Sequence, residues 1–147
     1  MRLSTQADYA VRTVYELACR RPGAVVQTRE IAGAQGLPER YLAKVVQSLA
    51  RAGLLRTVRG NHGGVSLARP AAQITVREVF EAADGPLELH RCRQRPEPCG
   101  ESPCGTHDFW EKVERVLADE LESTSFEALA HGGAKAGGGA ARTPTRR

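Results

Sequence analysis

At 147 residues with 41% hydrophobic side chains, the chain suits one compact domain with a real core, with room for an appendage. No apolar run is long enough to cross a bilayer, and the first ten residues lack the apolar stretch of a secretory signal, which predicts a cytoplasmic protein with reduced thiols and no membrane partner. The net charge of +4 is uneven: residues 1–70 carry 11 Lys and Arg against 4 Asp and Glu, residues 71–130 carry 6 against 13, and residues 131–147 carry 4 against none, so a polyanion partner is expected for the front half only.

Thr5 and Asp8 read as a capping box, and Ala7, Ala10, Val11, Val14, Leu17 and Ala18 follow at helical spacing. This first helix is expected to run to about Arg20, stopped by Pro22-Gly23, with Cys19 beside its apolar face as a small buried side chain. Ala24-Val25-Val26 reads as a short extended segment. Thr28 then caps a short helix over residues 29–35, Gly36 closes it, and Pro38 opens a longer one that stops at Gly53. In that longer helix Leu42, Val45, Val46 and Leu49 form the inner stripe, while Arg40, Lys44, Gln47 and Arg51 line the outer face. A short helix, a tight turn and a longer helix with a basic outer face make a helix-turn-helix pattern, although an ordinary helical hairpin shares it.

The next stretch separates the two. Residues 54–58 and 65–68 read as paired strands around the tip Arg59-Gly60-Asn61-His62-Gly63-Gly64, which is a wing. Its glycines allow close approach to a phosphate backbone, Arg59 is suited to a narrow minor groove, and His62 is either a phosphate donor or a solvated loop residue. The candidate DNA-binding residues are therefore Thr28, Pro38, Glu39, Arg40, Lys44, Gln47, Arg51, Arg59 and His62. Arg40, Lys44 and Arg51 suit contacts to the DNA backbone, and Glu39, Arg40 and Gln47 suit base edges in the major groove. A dimeric reader of this kind implies a palindromic double-stranded operator with half-sites about one helical turn apart.

Thr75-Val76-Arg77-Glu78 is a capping box with Ile74 and Val79 placed as its hydrophobic staple, and the helix it starts ends at Asp84-Gly85. A long helix is expected from about Asp108, with Trp110, Val113, Leu117 and Leu121 on one stripe and Phe109 and Val116 beside it. Its remaining positions are acidic, among them Glu111, Glu114, Asp119, Glu120 and Glu122, and its apolar stripe suits packing against a twin subunit. Residues 124–127 cap one last turn carrying Phe126 and Leu129, and from His131 the composition predicts a disordered basic tail. The predicted architecture is mainly α with a small β-wing. It comprises a winged helix-turn-helix head over residues 1–70, a cysteine segment and dimerisation helix over 71–130, and the tail over 131–147.

Between the last two long helices lie Cys92, Cys99 and Cys104, spaced C-x6-C-x4-C, with His107 three residues on. Pro96, Pro98, Gly100, Pro103 and Gly105 exclude a regular element through this run, so a tie of another kind must hold it. Three thiolates and an imidazole suit structural zinc; three thiolates and a further ligand suit an iron–sulfur cluster. Arg91, Arg93 and Arg95 beside the thiols would lower their pKa values and suit a redox switch. No nucleophile–base pair, phosphate-binding glycine loop or paired carboxylates in a cleft occurs, so an enzyme is not expected.

Several motifs together resemble one family. Met1-Arg2-Leu3-Ser4, Asp8-Tyr9-Ala10, Val58-Arg59-Gly60, Gly63-Gly64, Arg69-Pro70-Ala71, Ile74-Thr75-Val76, the three cysteines, His107 and Trp110 occur in the order seen in IscR/NsrR-type winged-helix regulators. The likeness spans residues 1–130. It implies a homodimeric DNA-binding repressor or dual regulator holding an iron–sulfur cluster through Cys92, Cys99 and Cys104. In IscR-like members a histidine at the position of His107 completes a 2Fe–2S site. In NsrR-like members an aspartate at the position of Asp8, from the partner subunit, completes a 4Fe–4S site, and this chain has both residues. Its middle cysteine is displaced by one residue from the family's usual C-x5-C-x5-C spacing.

Overall fold

Ser4, rather than Thr5, caps the first helix: its backbone is extended (φ −63°, ψ 153°) and its hydroxyl accepts the Ala7 N–H. The computed structural model describes residues 3–89 and 105–134. Within them α1 spans Thr5–Ala18, α2 Thr28–Gln35 and α3 Glu39–Arg51. Strands β1 (Leu55–Val58) and β2 (Gly64–Leu67) follow, then a 3-10 turn at Ala71–Gln73, α4 (Val76–Asp84), α5 (Gly105–Ser123) and α6 (Phe126–Ala134).

The core forms around α1. Its Ala7, Ala10, Val14 and Leu17 are buried, and it packs against α2, α3, α4, α6 and β2. From α3 the whole anticipated stripe, Leu42, Val45, Val46 and Leu49, is buried, while Arg40, Lys44, Gln47 and Arg51 are exposed. Strands β1 and β2 pair antiparallel with Leu55 opposite Leu67 and Val58 opposite Gly64. Val26 adds a single bridge beside β2, exchanging both backbone hydrogen bonds with Val65 at 2.9 and 2.8 Å. Of the extended segment read at residues 24–26, Val26 alone bridges to the wing, and it joins the wing to the start of α2.

The chain beyond the wing shares this same core. Ile74, Val79 and Phe126 are completely buried and belong to one apolar cluster with the side chains of α1 and α3. The Phe126 N–H donates to the Ile74 carbonyl and the Val76 N–H to the Thr124 carbonyl, both at 3.0 Å, which seats α6 beside the start of α4. By contrast α5, which packs against α4, buries no apolar side chain completely: Phe109 is 58% exposed, Trp110 40% and Val116 62%.

Some expectations change. Thr28 is the first residue of α2 and not its cap, and Pro38 is the cap of α3 rather than its first residue. Cys19 is exposed at the C-terminal cap of α1, not buried, because the helix ends before another turn can bring it under cover. Helix α5 begins at Gly105, three residues before Asp108. The tail does not start at His131. Phe126 anchors α6 in the core, and helix-favouring Ala128, Leu129 and Ala130 carry it on through His131 to Ala134. Glu114, one of the acidic positions read outside the apolar stripe of α5, is buried. Cys92, Cys99 and Cys104 lie outside the described residues, as do Met1 and Arg2 and the tail from residue 135.

The capping box of α4 forms as anticipated. The Thr75 hydroxyl accepts the Glu78 N–H at 3.2 Å and the Glu78 carboxylate accepts the Thr75 N–H at 3.0 Å, while Arg69 donates to the same carboxylate at 2.7 Å. Burial pushes the Glu78 carboxyl up, but the Thr75 N–H and the Arg69 guanidinium outweigh it and hold the group below the usual carboxylate range. A carboxyl whose folded pKa is depressed contributes stability that is full above its unfolded pKa and is lost as pH falls through the folded value. Urea unfolding across that acidic window is expected to show stability falling more steeply for the natural chain than for Glu78→Gln; equal slopes would mean that these bonds do not favour the ionised form.

Candidate nucleic-acid interface and metal centre

Two concave surfaces meet at the start of α3. One is lined by Thr28, Pro38, Glu39, Arg40 and Ala43. The other is lined by Gln27, Thr28, Arg29, Glu39, Val58, Gly60, Asn61, Gly63 and Gly64. The N-terminal ends of α2 and α3 and the wing tip thus form one continuous face, shared through Thr28 and Glu39. Neither helix has a side-chain cap, so their first backbone N–H groups keep no intrahelical partner and add positive partial charge there.

The wing approaches α2 closely because Gly64 has no side chain. A Cβ at that position would lie 2.3 Å from the Val26 carbonyl oxygen, and one at Gly63 would lie 2.3 Å from that of Val58. This close fit sets the distance between the wing tip and the two helices.

Elsewhere most described cations are ion-paired, Arg21 and Lys112 excepted, whereas on this face none is. Among the described residues the ion pairs fall on Arg12, Arg20, Arg69, Arg77 and Arg115. Arg29, Arg40, Lys44, Arg51, Arg56 and Arg59, on α2, α3 and the wing, are exposed and pair with no carboxylate among those residues. The Arg40 guanidinium lies 5.1 Å from the centre of the Tyr41 ring, which stiffens it without neutralising it. Glu39 is the one acidic side chain lining the two surfaces.

Of the residues anticipated from sequence, Thr28, Pro38, Glu39 and Arg40 come together in this face. Lys44, Gln47 and Arg51 continue it along the exposed side of α3, and Arg59 and His62 are exposed at the wing. Sequence reasoning missed Arg29 and Asn61, which line the second surface. Their signal is tertiary, since only the seating of the wing against Val26 brings the tip beside the first turn of α2.

Of the candidate metal ligands, His107 sits in the first turn of α5, half-buried. Its ligating atom and those of Asp108 and Glu111 lie within 4.8 Å of one another, a grouping not anticipated from the sequence. Asp8 is in the first turn of α1, where Arg12 approaches its carboxylate to 3.1 Å. The three cysteines fall outside the described residues, but a set of three thiols, an imidazole and carboxylates fits zinc and an iron–sulfur cluster alike.

Residues 3–132 match the family described as "Rrf2: Iron-dependent Transcriptional regulator". The transcriptional regulator IscR of Photorhabdus laumondii is 33% identical over 129 residues, covering 88% of this chain and 79% of that protein. Among solved structures, IscR of T. potens superposes with a TM-score of 0.78 at 28% identity, covering 96% of this chain and 94% of that one. The oxidized form of Staphylococcus aureus CymR superposes with a TM-score of 0.72 at 27% identity, covering 88% and 96%. No described helix is long and apolar enough to cross a membrane.

The close approach of wing and α2 is directly testable. Gly64→Ala places a Cβ against the Val26 carbonyl and is expected to lower stability by about 1–3 kcal/mol in denaturant unfolding. An unchanged midpoint would mean that the Val26–Val65 bridge yields without penalty.

Proposed function

The chain belongs to the Rrf2 family of transcriptional regulators, and from that membership we propose that it is a homodimeric repressor whose operator affinity is set by an iron–sulfur cluster responding to nitric oxide, redox state or iron supply. The observation that carries the DNA reading is the run of six cations across α2, α3 and the wing with no carboxylate partner among the described residues, beside two helix starts without a side-chain cap. On this reading α3 lies in the major groove and Arg59 reaches the neighbouring minor groove. Arg40, Lys44 and Arg51 hold phosphates and fix the register. Glu39 faces the same polyanion with the wrong sign for phosphate, so its carboxylate suits the exocyclic amine of a cytosine. The partly exposed stripe of Phe109, Trp110 and Val116 on α5 meets the same stripe of a second copy.

Cys92, Cys99 and Cys104 hold the metal group, completed by His107 or by Asp8 of the partner subunit. When bound, such a cluster supplies iron–sulfur bonds that react with nitric oxide and oxygen. The protein's part is positional: His107 heads α5, so a change at the ligands bears directly on the helix that joins the subunits. A hundredfold change in operator affinity needs only ~2.7 kcal/mol of differential binding. A second reading, a zinc-stabilised or thiol-switched regulator without a cluster, draws support from the likeness to S. aureus CymR, whose structure is known in an oxidized form.

Purification without oxygen, followed by an absorbance spectrum with iron, sulfide and zinc counts, separates the two. Brown protein with matching iron and sulfide is expected; colourless protein holding zinc or no metal overturns the cluster reading. For the DNA half, Lys44→Ala or Arg51→Ala is expected to weaken binding to all duplexes alike and reduce the salt slope by about one. Glu39→Ala is expected instead to relax preference at one base position, at roughly 1–3 kcal/mol of discrimination. If Glu39→Ala leaves the sequence preference intact, Glu39 does not read a base.

A further inference from the structure

Glu114 is out of place by the usual rules. It is 6% exposed in a helix whose other acidic side chains are exposed or half-buried. A carboxyl group taken from water without compensation is destabilising, and an apolar side chain would fill the same volume without that penalty. Among the things a carboxyl oxygen can do there and an apolar side chain cannot is to accept the Leu89 N–H, which it does at 3.2 Å across 25 residues of sequence.

The position of that bond is informative. Leu89 is three residues before Cys92, and His107 is three residues after Cys104. His107, Glu111 and Glu114 recur at i, i+4 and i+7 and therefore share one face of α5. Glu111 and Glu114 also line the hollow between α5, Arg77 and Glu81 of α4, and residues 86–88. The face of α5 that holds the approach to the cysteine segment is thus the face that carries its histidine.

We infer that Glu114 is a positioning residue for the metal segment: it fixes Leu89 against α5, so that the residues flanking the cysteine run on either side, Leu89 and His107, are held on one helix before any metal arrives. This rests on the metal-site reading above. Holding both ends restricts the conformations open to the thiols, so less chain entropy is lost when they close on a metal. Partners one shell out from metal ligands act in this way by fixing where the ligands can reach.

Three full-length chains test it: natural, Glu114→Leu and Glu114→Gln. The leucine keeps the packing volume and removes the acceptor, whereas the glutamine keeps a carbonyl oxygen for the Leu89 N–H. Cobalt(II) titration, followed by its thiolate charge-transfer band, is expected to show affinity lower on the order of tenfold for Glu114→Leu and near natural for Glu114→Gln. In the metal-free chains, hydrogen exchange at the Leu89 amide should be faster in Glu114→Leu alone. Cobalt affinity equal to natural in Glu114→Leu, or reduced equally in both variants, overturns the inference. If the natural chain takes up no cobalt, the metal-site reading fails by itself, and exchange at Leu89 decides the role of Glu114: unchanged exchange in Glu114→Leu overturns it.

Discussion

The packing of α1 against α4 sets where the rest of the molecule can be. Ala7 and Ala10 on α1 are completely buried, and side chains this small let neighbouring backbones approach closely. The first turn of α1 is fastened to the last turn of α4: the Ser4 hydroxyl accepts the Ala7 N–H and donates to the Asp84 carboxylate at 2.5 Å, and the Gln6 amide donates to the Ala83 carbonyl at 2.9 Å. Because α1 also packs on α2 and α3, the helices that present the cationic face and the helix that leads into the cysteine segment move as parts of one core. The helices of the cationic face are not a bead on a tether, and a displacement at the end of α4 cannot be absorbed by a flexible linker before it reaches α1.

Charge is arranged around that rigid frame. Behind the wing the arginines face carboxylates, as Arg69 does Glu78 and Arg77 does Glu81. On α2, α3 and the wing the cations have no carboxylate partner among the described residues, so their charge stays available to a polyanion, at short range under physiological screening. The acidic surplus of residues 71–130 discourages DNA from lying along the back, so orientation follows from charge before any base is read.

What the sequence disclosed follows the reach of each interaction. The Thr75–Glu78 capping box was legible because all its partners lie within four residues, and the α3 stripe because burial there follows helical period. Ser4 was passed over for Thr5 because its second partner, Asp84, is 80 residues away. The burial of Glu114 was not legible, because periodicity gives the sidedness of α5 but not which neighbour covers it. Phe126 was assigned only to a last turn, yet it is among the largest side chains fully buried, since the return of the chain onto Ile74 is a tertiary event. The cationic face was read in outline for the same reason: α3 announces itself by pattern, while Arg29 and Asn61 join it only through the seating of the wing.

On the proposed reading, the first turns of α5 bring two functions into unusually short range. His107 is in its first turn, and Phe109 and Trp110, in edge-to-face contact with ring centres 5.2 Å apart, follow at once on the exposed surface. A ligand and a subunit contact separated by two residues of one helix cannot be moved independently, because helical backbone hydrogen bonds transmit rotation of one turn to the next. Since α5 is seated on α4, and α4 on α1 and α3, a change at the histidine bears on both the angle between subunits and the frame that holds α3. Operators read as paired half-sites are sensitive to that angle and spacing rather than to the fold of either head. A rigid core is therefore an advantage for such a switch, because it converts a local change of ligation into a change in the geometry of two otherwise unaltered heads.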